Sequence, residues 1–518
     1  MFSFEGVIGL GSTVLSTILV LANSAIVANA TTATTDSIFL DSYSQSTSVS
    51  HLSEVRTTDW AFQALQSLAQ RYGCITDSKI YEGNRVLTRY QFAMNLNACL
   101  NSISQLIEAG INNLVNQDDL STLRRLQVEF APELATFQGQ VDNLQVRTDL
   151  LETQQFSTTT TLSGEAIFAL TGFTGGNKAD DSGEPINDNF VFSQRVRLNF
   201  DTSFTGEDRF RVRLQARSIP RLDRVTSTAM ARLGFEGDTD NEFEISRLEY
   251  RFPIGQQARV YIEATGGELS DFADTLNPYF SSSSRGAISR FGRRNPIYRQ
   301  SFGAGVGIDY EFSDAVSLGV GYVADNAEEP ESGISKSPDG AIVQLTLEPI
   351  EDAEIGLTYV RSDNNINTGT GSELANDPFD NDSDRISANS YGVEATWRFS
   401  RRFNLGGWVG FTQATAEDLS GKPTANIFNY AITLAFLDLG KEGDLAGIII
   451  GQPPKVISNG YGRKFIDEAT SWHLEVFYRF QAADNIEITP GLLVITNPEH
   501  KHNNDTIFVG TVRTTFSF

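Results

Sequence analysis

The chain has 518 residues, with 65 Asp or Glu against 40 Lys or Arg and a formal charge of −25; its mean hydropathy is −0.21. Charge of this sign and size argues against nucleic acid as a partner. Past the first thirty residues no apolar run reaches the roughly 20 residues a spanning helix needs, which leaves open a membrane barrel that hides its apolar surface in alternate positions.

At the N-terminus, residues 7–27 (VIGLGSTVLSTILVLANSAIV) are apolar and are followed by Ala28-Asn29-Ala30, a small-x-small cleavage site. This reads as a secretory signal peptide over 1–30, although no Lys or Arg precedes Arg56 and the usual basic n-region is absent. A Ser/Thr-rich lead-in over 31–50 follows.

Residues 51–108 change character. Asp59 precedes WAFQALQSL, whose apolar groups fall at helical spacing, and Thr88 precedes a second helical run, RYQFAM. The segments VRTTDWAFQALQSLAQRYG and GNRVLTRYQFAMNLNACL resemble an S-layer homology module. That resemblance implies binding to a polysaccharide attached to peptidoglycan, through Thr88 and Arg89, with Trp60 a weaker contact. The alternative is structural: Trp60 and Phe62 as core and Arg89 as a surface charge, and for Phe62 the core reading is preferred. The loop Ile75–Gly83 departs from the family's turn. Cys74 and Cys99, the only two cysteines, both lie in this module. In an exported protein they read as one disulfide, with two buried free thiols as the alternative.

Residues 109–155 carry no strand signal. Leu123, Phe130, Leu134, Phe137, Val141, Leu144 and Leu151 form a seam of 3–4 spacing that predicts a coiled-coil stalk, interrupted at Pro132 unless a helix starts there. Such a stalk over fifty residues would span roughly 75 Å at 1.5 Å per residue.

From Gln155 the period changes to two. The pattern predicts an all-β transmembrane barrel over 156–518 with about sixteen antiparallel strands: 160–171, 190–204, 207–218, 241–253, 257–266, 300–312, 315–324, 340–349, 352–362, 389–400, 402–415, 425–438, 444–452, 470–481, 484–496 and 506–518. The last is informative: Phe508, Gly510, Val512, Thr514, Phe516 and Phe518 share one face, and the chain stops on an aromatic. Alternate faces carry charge, which predicts a wet lumen lined by Arg209, Arg211, Arg213, Glu394, Arg398, His473, Glu475, Arg479 and Arg513. Parity changes near Ser246, so a bulge is expected there. Short connections alternate with long ones, which puts the short turns and both barrel ends on the periplasmic side.

The third long loop differs from the rest. From Thr275 to Ile308 there is no acidic residue, while Arg285, Arg290, Arg293, Arg294 and Arg299 are present. Folded into the lumen, this loop would set a positive constriction; lying on the wall, its arginines would pair with lumen carboxylates.

The segments LQVEFAPELATFQGQVDNL, LLETQQFSTTTTLSGE, EISRLEYRFPIG and SRFGRRNPIYR together resemble the cyanobacterial outer-membrane porins, relatives of the carbohydrate-selective OprB-type porins. The resemblance implies passive diffusion of ions and small solutes, sugars or iron among the labels in use, through each barrel of a homotrimer set in outer-membrane lipid, with the N-terminal module in the periplasm. The rival reading is a structural tether between outer membrane and cell wall. An enzyme is rejected: His51, His473, His500 and His502 sit in no Ser-His-Asp constellation, and G-x-S-x-G does not occur. No cofactor is implied, and His500-Lys501-His502 is read as a solvated polar loop rather than a metal site.

Overall fold

The computed structural model describes residues 54–75, 86–108, 116–154 and 159–518. The expected signal peptide, the lead-in and most of the Ile75–Gly83 loop lie outside the described residues. The chain divides into two compact units that part at residue 155.

The N-terminal unit holds four helices, α1 (Trp60–Tyr72), α2 (Arg89–Glu108), α3 (Gln117–Glu129) and α4 (Ala131–Gln154), and a two-residue antiparallel pairing of Glu54–Val55 with Leu87–Thr88. Helix α1 stops at Gly73, whose φ of 61° suits glycine. Helix α2 starts with a reciprocal cap: Gln91 N–H donates to Thr88 Oγ1 at 3.1 Å and Thr88 N–H to Gln91 Oε1 at 3.2 Å. Asn116 caps α3 through the Asp118 N–H. Phe62, Leu65, Phe92, Leu96 and Cys99 form the core, and Cys74 is joined to Cys99 across a Cα–Cα distance of 4.7 Å.

The coiled-coil expectation changes at its first half. Leu123, Leu126 and Phe130 are buried in this same core, with Leu134 packed against it, so α3 is a third helix of the module and not part of a free seam. A new helix begins at Ala131 with Pro132 in its first turn, where a missing N–H costs nothing. On α4, Val141 is 41% exposed and available for association.

The second unit is a closed antiparallel barrel. Its sixteen full strands are β1 (Thr160–Thr174), β2 (Val191–Thr202), β3 (Arg209–Ile219), β4 (Glu244–Ile254), β5 (Ala258–Glu268), β6 (Phe302–Ser313), β7 (Val316–Ala324), β8 (Asp339–Ile350), β9 (Ala353–Asp363), β10 (Ile386–Ser400), β11 (Phe403–Ala416), β12 (Thr424–Leu437), β13 (Leu445–Asn459), β14 (Trp472–Ala483), β15 (Ile486–Thr496) and β16 (Ile507–Ser517). β16 closes on β1 with Val512 opposite Leu170, and Phe518 exchanges backbone hydrogen bonds with Gly164 at 2.6 and 3.0 Å. The predicted bulge is present: Arg213 faces Arg247 and Leu214 faces Ile245, leaving Ser246 unopposed. β13 continues past its predicted end at 452 through Pro453 and Pro454. Pairing with β14 has already stopped at Gly451 and the β12 register passes from Gln452 to Lys455, so the prolines sit in a bulge, out of register with both neighbours, where their missing donors leave no ladder bond unmade.

Apolar side chains on alternate positions face outward, among them Phe312, Trp397, Phe399 and Phe518, which gather near the short turns. Aromatic rings at that level suit a membrane–water boundary. Among the described residues no helix is long and apolar enough to cross a membrane.

Candidate functional site

The basic loop, 269–301 between β5 and β6, does not leave the barrel. It runs across the lumen through three short 3-10 turns, Leu269–Asp271, Phe291–Arg293 and Pro296–Arg299, and is buried along most of its length. A glycine-paved wall seats its first arm. A Cβ on Gly307 or Gly321 would lie 2.2 or 2.1 Å from the Phe272 ring, and one on Gly319 2.3 Å from the Phe272 carbonyl oxygen. Farther along, Gly392, Gly410 and Gly491 leave the space taken by Ile297, Asn295 and Ile288. Deleting side chains from the inner wall lets a backbone lie flat on it.

Polar groups of β8–β16 then hold the loop. Glu475 accepts from the Ile288 N–H at 2.6 Å, the Ser289 N–H at 3.2 Å and the Ser289 hydroxyl, while His473 Nε2 sits 3.1 Å from that same hydroxyl. Arg513 donates to the carbonyls of Gly286, Ser283 and Ala287 at 2.7–3.4 Å, and Thr515 to that of Ser284 at 2.8 Å. Glu394 accepts from the Leu276 N–H at 3.0 Å, Asn295 donates to the Val409 carbonyl, and Ser390 donates to Gln300. A charged acceptor shared by several loop amides is worth more than a neutral one.

These contacts correct part of the lumen prediction. Glu394, His473, Glu475 and Arg513 point inward, but the loop covers them, and each is at most 2% exposed. They are anchors and not water-lining groups. Arg285 is corrected as well: it pairs with Glu487 at 3.0 Å and donates to the Ser517 hydroxyl, so it is a wall tie outside the cavity lining. Arg479 supports it by donating to the Arg285 carbonyl at 3.0 Å. Arg209 and Arg211 face inward in ion pairs with Glu249 at 2.5 Å and Asp201 at 2.6 Å, and Arg398 is exposed beside the short turns.

What remains open is an off-centre cavity of about 1360 Å³. Arg197, Arg213, Arg217 and Arg247 of β2–β4 form one sector, joined by Arg290, Arg293, Arg294 and Arg299 of the loop. Asp309 of β6, Glu354 of β9 and Asp274, Asp325 and Glu328 of the loops form an acidic sector on the other strands. Opposed charges across a narrow water path create a transverse field that orients dipolar solutes.

Outer loops close over the covered side. The fifth long loop (364–385) reaches in far enough for its Thr368 carbonyl to accept from Arg290 Nε at 3.3 Å. Glu373 N–H of that loop donates to Glu499, and Ser372 Oγ donates to Asp467 at 2.8 Å. His500 accepts from the Ser471 N–H at 2.8 Å, and its other nitrogen lies 3.0 Å from the Pro454 carbonyl. His500 is thus a buried structural group and not the solvated loop residue the sequence suggested. Burial pushes Asp467 up to about 6 and Glu499 up to about 7, and pushes His500 down to about 4.

In the N-terminal unit the three wall-binding candidates are already engaged. Arg89 pairs with Glu133 at 2.5 Å and lies 4.3 Å over Phe130, the Thr88 hydroxyl caps α2, and Arg125 stacks on Trp60 at 3.9 Å. Phe62 is core, 2% exposed.

Residues 117–518 match the family described as "Carbohydrate-selective porin, OprB family". An uncharacterised protein of Nostoc sp. is 40% identical over 509 residues, covering 92% of this chain and 86% of that one. Another, from Synechocystis sp., is 37% identical over 508 residues, covering 92% and 91%. A solved structure of Pseudomonas putida OprB aligns at TM-score 0.46 and 12% identity over 72% of this chain and 96% of that chain.

Proposed function

The chain belongs to the OprB family of carbohydrate-selective porins, passive channels of the outer membrane, and on that premise we propose that it admits inorganic ions and small hydrophilic solutes, sugars among them. The observation that carries this reading is the charged cavity left between the infolded loop and β2–β9. Solutes would pass by diffusion, with guanidinium and carboxylate groups replacing part of their hydration and no bond made or broken.

Short turns on the periplasmic side would place the N-terminal unit in the periplasm. There it would hold a peptidoglycan-linked polysaccharide, and the exposed side of α4 would help three copies associate. Because Arg89 and Trp60 already have partners within the unit, polymer would have to bind at their remaining donors and ring faces.

The test is the reversal potential of the purified protein in a planar bilayer under a potassium chloride gradient. Stepwise conductance supports the channel, and its sign says which charged sector dominates. Absence of conductance would refute it and leave the tether as the main role. Deleting 51–150 separates the two functions: conductance should persist while attachment to isolated cell wall is lost.

A further inference from the structure

We propose that the arginine cluster of the infolded loop is a binding site for a multiply charged tetrahedral oxyanion, a phosphate group either free or carried by a small solute. This rests on the channel reading above and specifies what one part of that channel holds.

Charge bookkeeping motivates it. Arg290, Arg293, Arg294 and Arg299 line one cavity with Arg197, which has Glu165 at 3.4 Å. Of the four loop arginines only Arg294 has a carboxylate within ion-pair reach among the described residues, Glu268 at 2.5 Å. The others spend donors on neutral carbonyls: Arg290 on Thr368, Arg293 on Ser281 and Gly234, Arg299 on Arg290. Neutral carbonyls position a guanidinium without cancelling its charge. Arg294 and Arg299 are 6% and 7% exposed, and the Nε of each is enclosed without an acceptor.

Burying several like charges together is costly unless something compensates them. Glu268 accounts for one loop arginine; the neighbouring carboxylates Glu244 and Asp271 pair with the wall residues Arg217 and Arg247, at 3.7 and 2.7 Å. A chloride ion would cancel one more and has no directional acceptors to meet the planar N–H forks. A phosphate dianion cancels two and presents oxygens that match guanidinium forks in pairs. A neutral sugar would cancel none.

Hydroxyl geometry agrees. Ser283 Oγ accepts from Arg195 and Arg197 at 3.1 and 3.0 Å, which leaves its own proton to donate to a ligand oxygen, and Ser283 lines the same cavity. The site stays open on one side, so the ion would be held transiently and released, as conduction requires.

The experiment is single-channel recording of the full chain in potassium chloride at pH 8, with inorganic phosphate added in steps, then glucose 6-phosphate, and nitrate as a monovalent control. The expected result is saturable block of the chloride current by phosphate, with nitrate inert. Block by glucose 6-phosphate as well would show that the site accepts a carried phosphate; block by inorganic phosphate alone would restrict it to the free ion. In R290Q and in R293Q the half-blocking phosphate concentration should rise about tenfold, the loss of one charged contact. R398Q, beside the short turns and outside the cavity lining, should leave it unchanged. Each variant's unblocked conductance reports whether its barrel is intact. Normal conductance with no phosphate block, or equal effects of phosphate and nitrate, would overturn the site while leaving the channel standing. No conductance from the unaltered chain would instead refute the channel reading.

Discussion

Replacing Glu475 by Gln tests whether the infolded loop is held by its anchors. The side chain keeps its shape but has one acceptor oxygen where the carboxylate has two. In the native chain one oxygen takes the Ile288 N–H at 2.6 Å and the other the Ser289 N–H at 3.2 Å, both fully buried. The amide NH₂ must therefore face one of those donors and leave it unpaired. A hydrogen bond to a charged group is worth about 1.5–3 kcal/mol. At 1.4 kcal/mol per decade, local release of the loop becomes roughly 10–150-fold more frequent. Hydrogen exchange followed by mass spectrometry in detergent reads this directly. Peptides covering 286–292 should exchange faster by that factor where exchange follows the opening equilibrium, while wall peptides from β12 and β13 should not change. Unchanged exchange in 286–292, or equal acceleration throughout the barrel, would refute the anchoring argument.

Three further outcomes are expected. Gly321→Ala places a methyl 2.1 Å from Phe272, so the loop's first arm must lift at a cost of about 1–3 kcal/mol, and tryptic cleavage at its arginines should become detectable. The outer-loop latch should depend on pH. Asp467 and Glu499 have docked values of about 6 and 7, above their free values of 3.8 and 4.5, so their contribution is complete below about pH 4 and is lost as pH rises through 7. His500, lowered from 6.5 to about 4 and close to Lys455, acts in the opposite sense and contributes above about 6.5. Two carboxyls outweigh one ring: after division by the base-catalysed intrinsic rate of each amide, protection of 366–376 should be greater at pH 5 than at pH 8, and Asp467→Asn with Glu499→Gln should remove that excess. Replacing Cys74 and Cys99 by Ser should destabilise the N-terminal unit by about 3.5 kcal/mol, given their separation of 25 residues, and leave the barrel's heat-dependent gel mobility unchanged.

Strand number and order are legible because a period of two runs through the strands, and the bulge at Ser246 because that period breaks there. Parity alone says only inside or outside. It could not say that the inside at His473, Glu475 and Arg513 is protein and not water. A signal existed in the inward glycines, Gly307, Gly319, Gly321, Gly392, Gly410 and Gly491, which read as weak strand positions until something is laid on them. The end of β13 is not legible because Pro453-Pro454 looks like a stop, and a bulge out of register with both neighbours is a tertiary fact. Helix α3 reads as stalk in the sequence because its Leu123–Phe130 stripe has the same spacing whether its partner is another chain or its own module. Arg285 was grouped with the other arginines by sequence proximity, while its carboxylate, Glu487, lies two hundred residues away.

The anchoring of the basic loop also bears on the order of assembly. The loop is made midway through the barrel, yet the groups that hold its centre, His473, Glu475, Arg513 and Thr515, belong to β14 and β16. The Ile288 and Ser289 amides lack Glu475 until β14 is in place, and the Ser283, Ser284, Gly286 and Ala287 carbonyls lack Arg513 and Thr515 until β16 is. A barrel caught before closure would therefore hold the first and last parts of the loop through Glu394, Val409 and Ser390 while its 283–287 segment lacked its partners. Contacts of such long sequence separation form late and slowly. Insertion of β16 would then close the barrel on β1 and complete the anchoring of the loop in the same event.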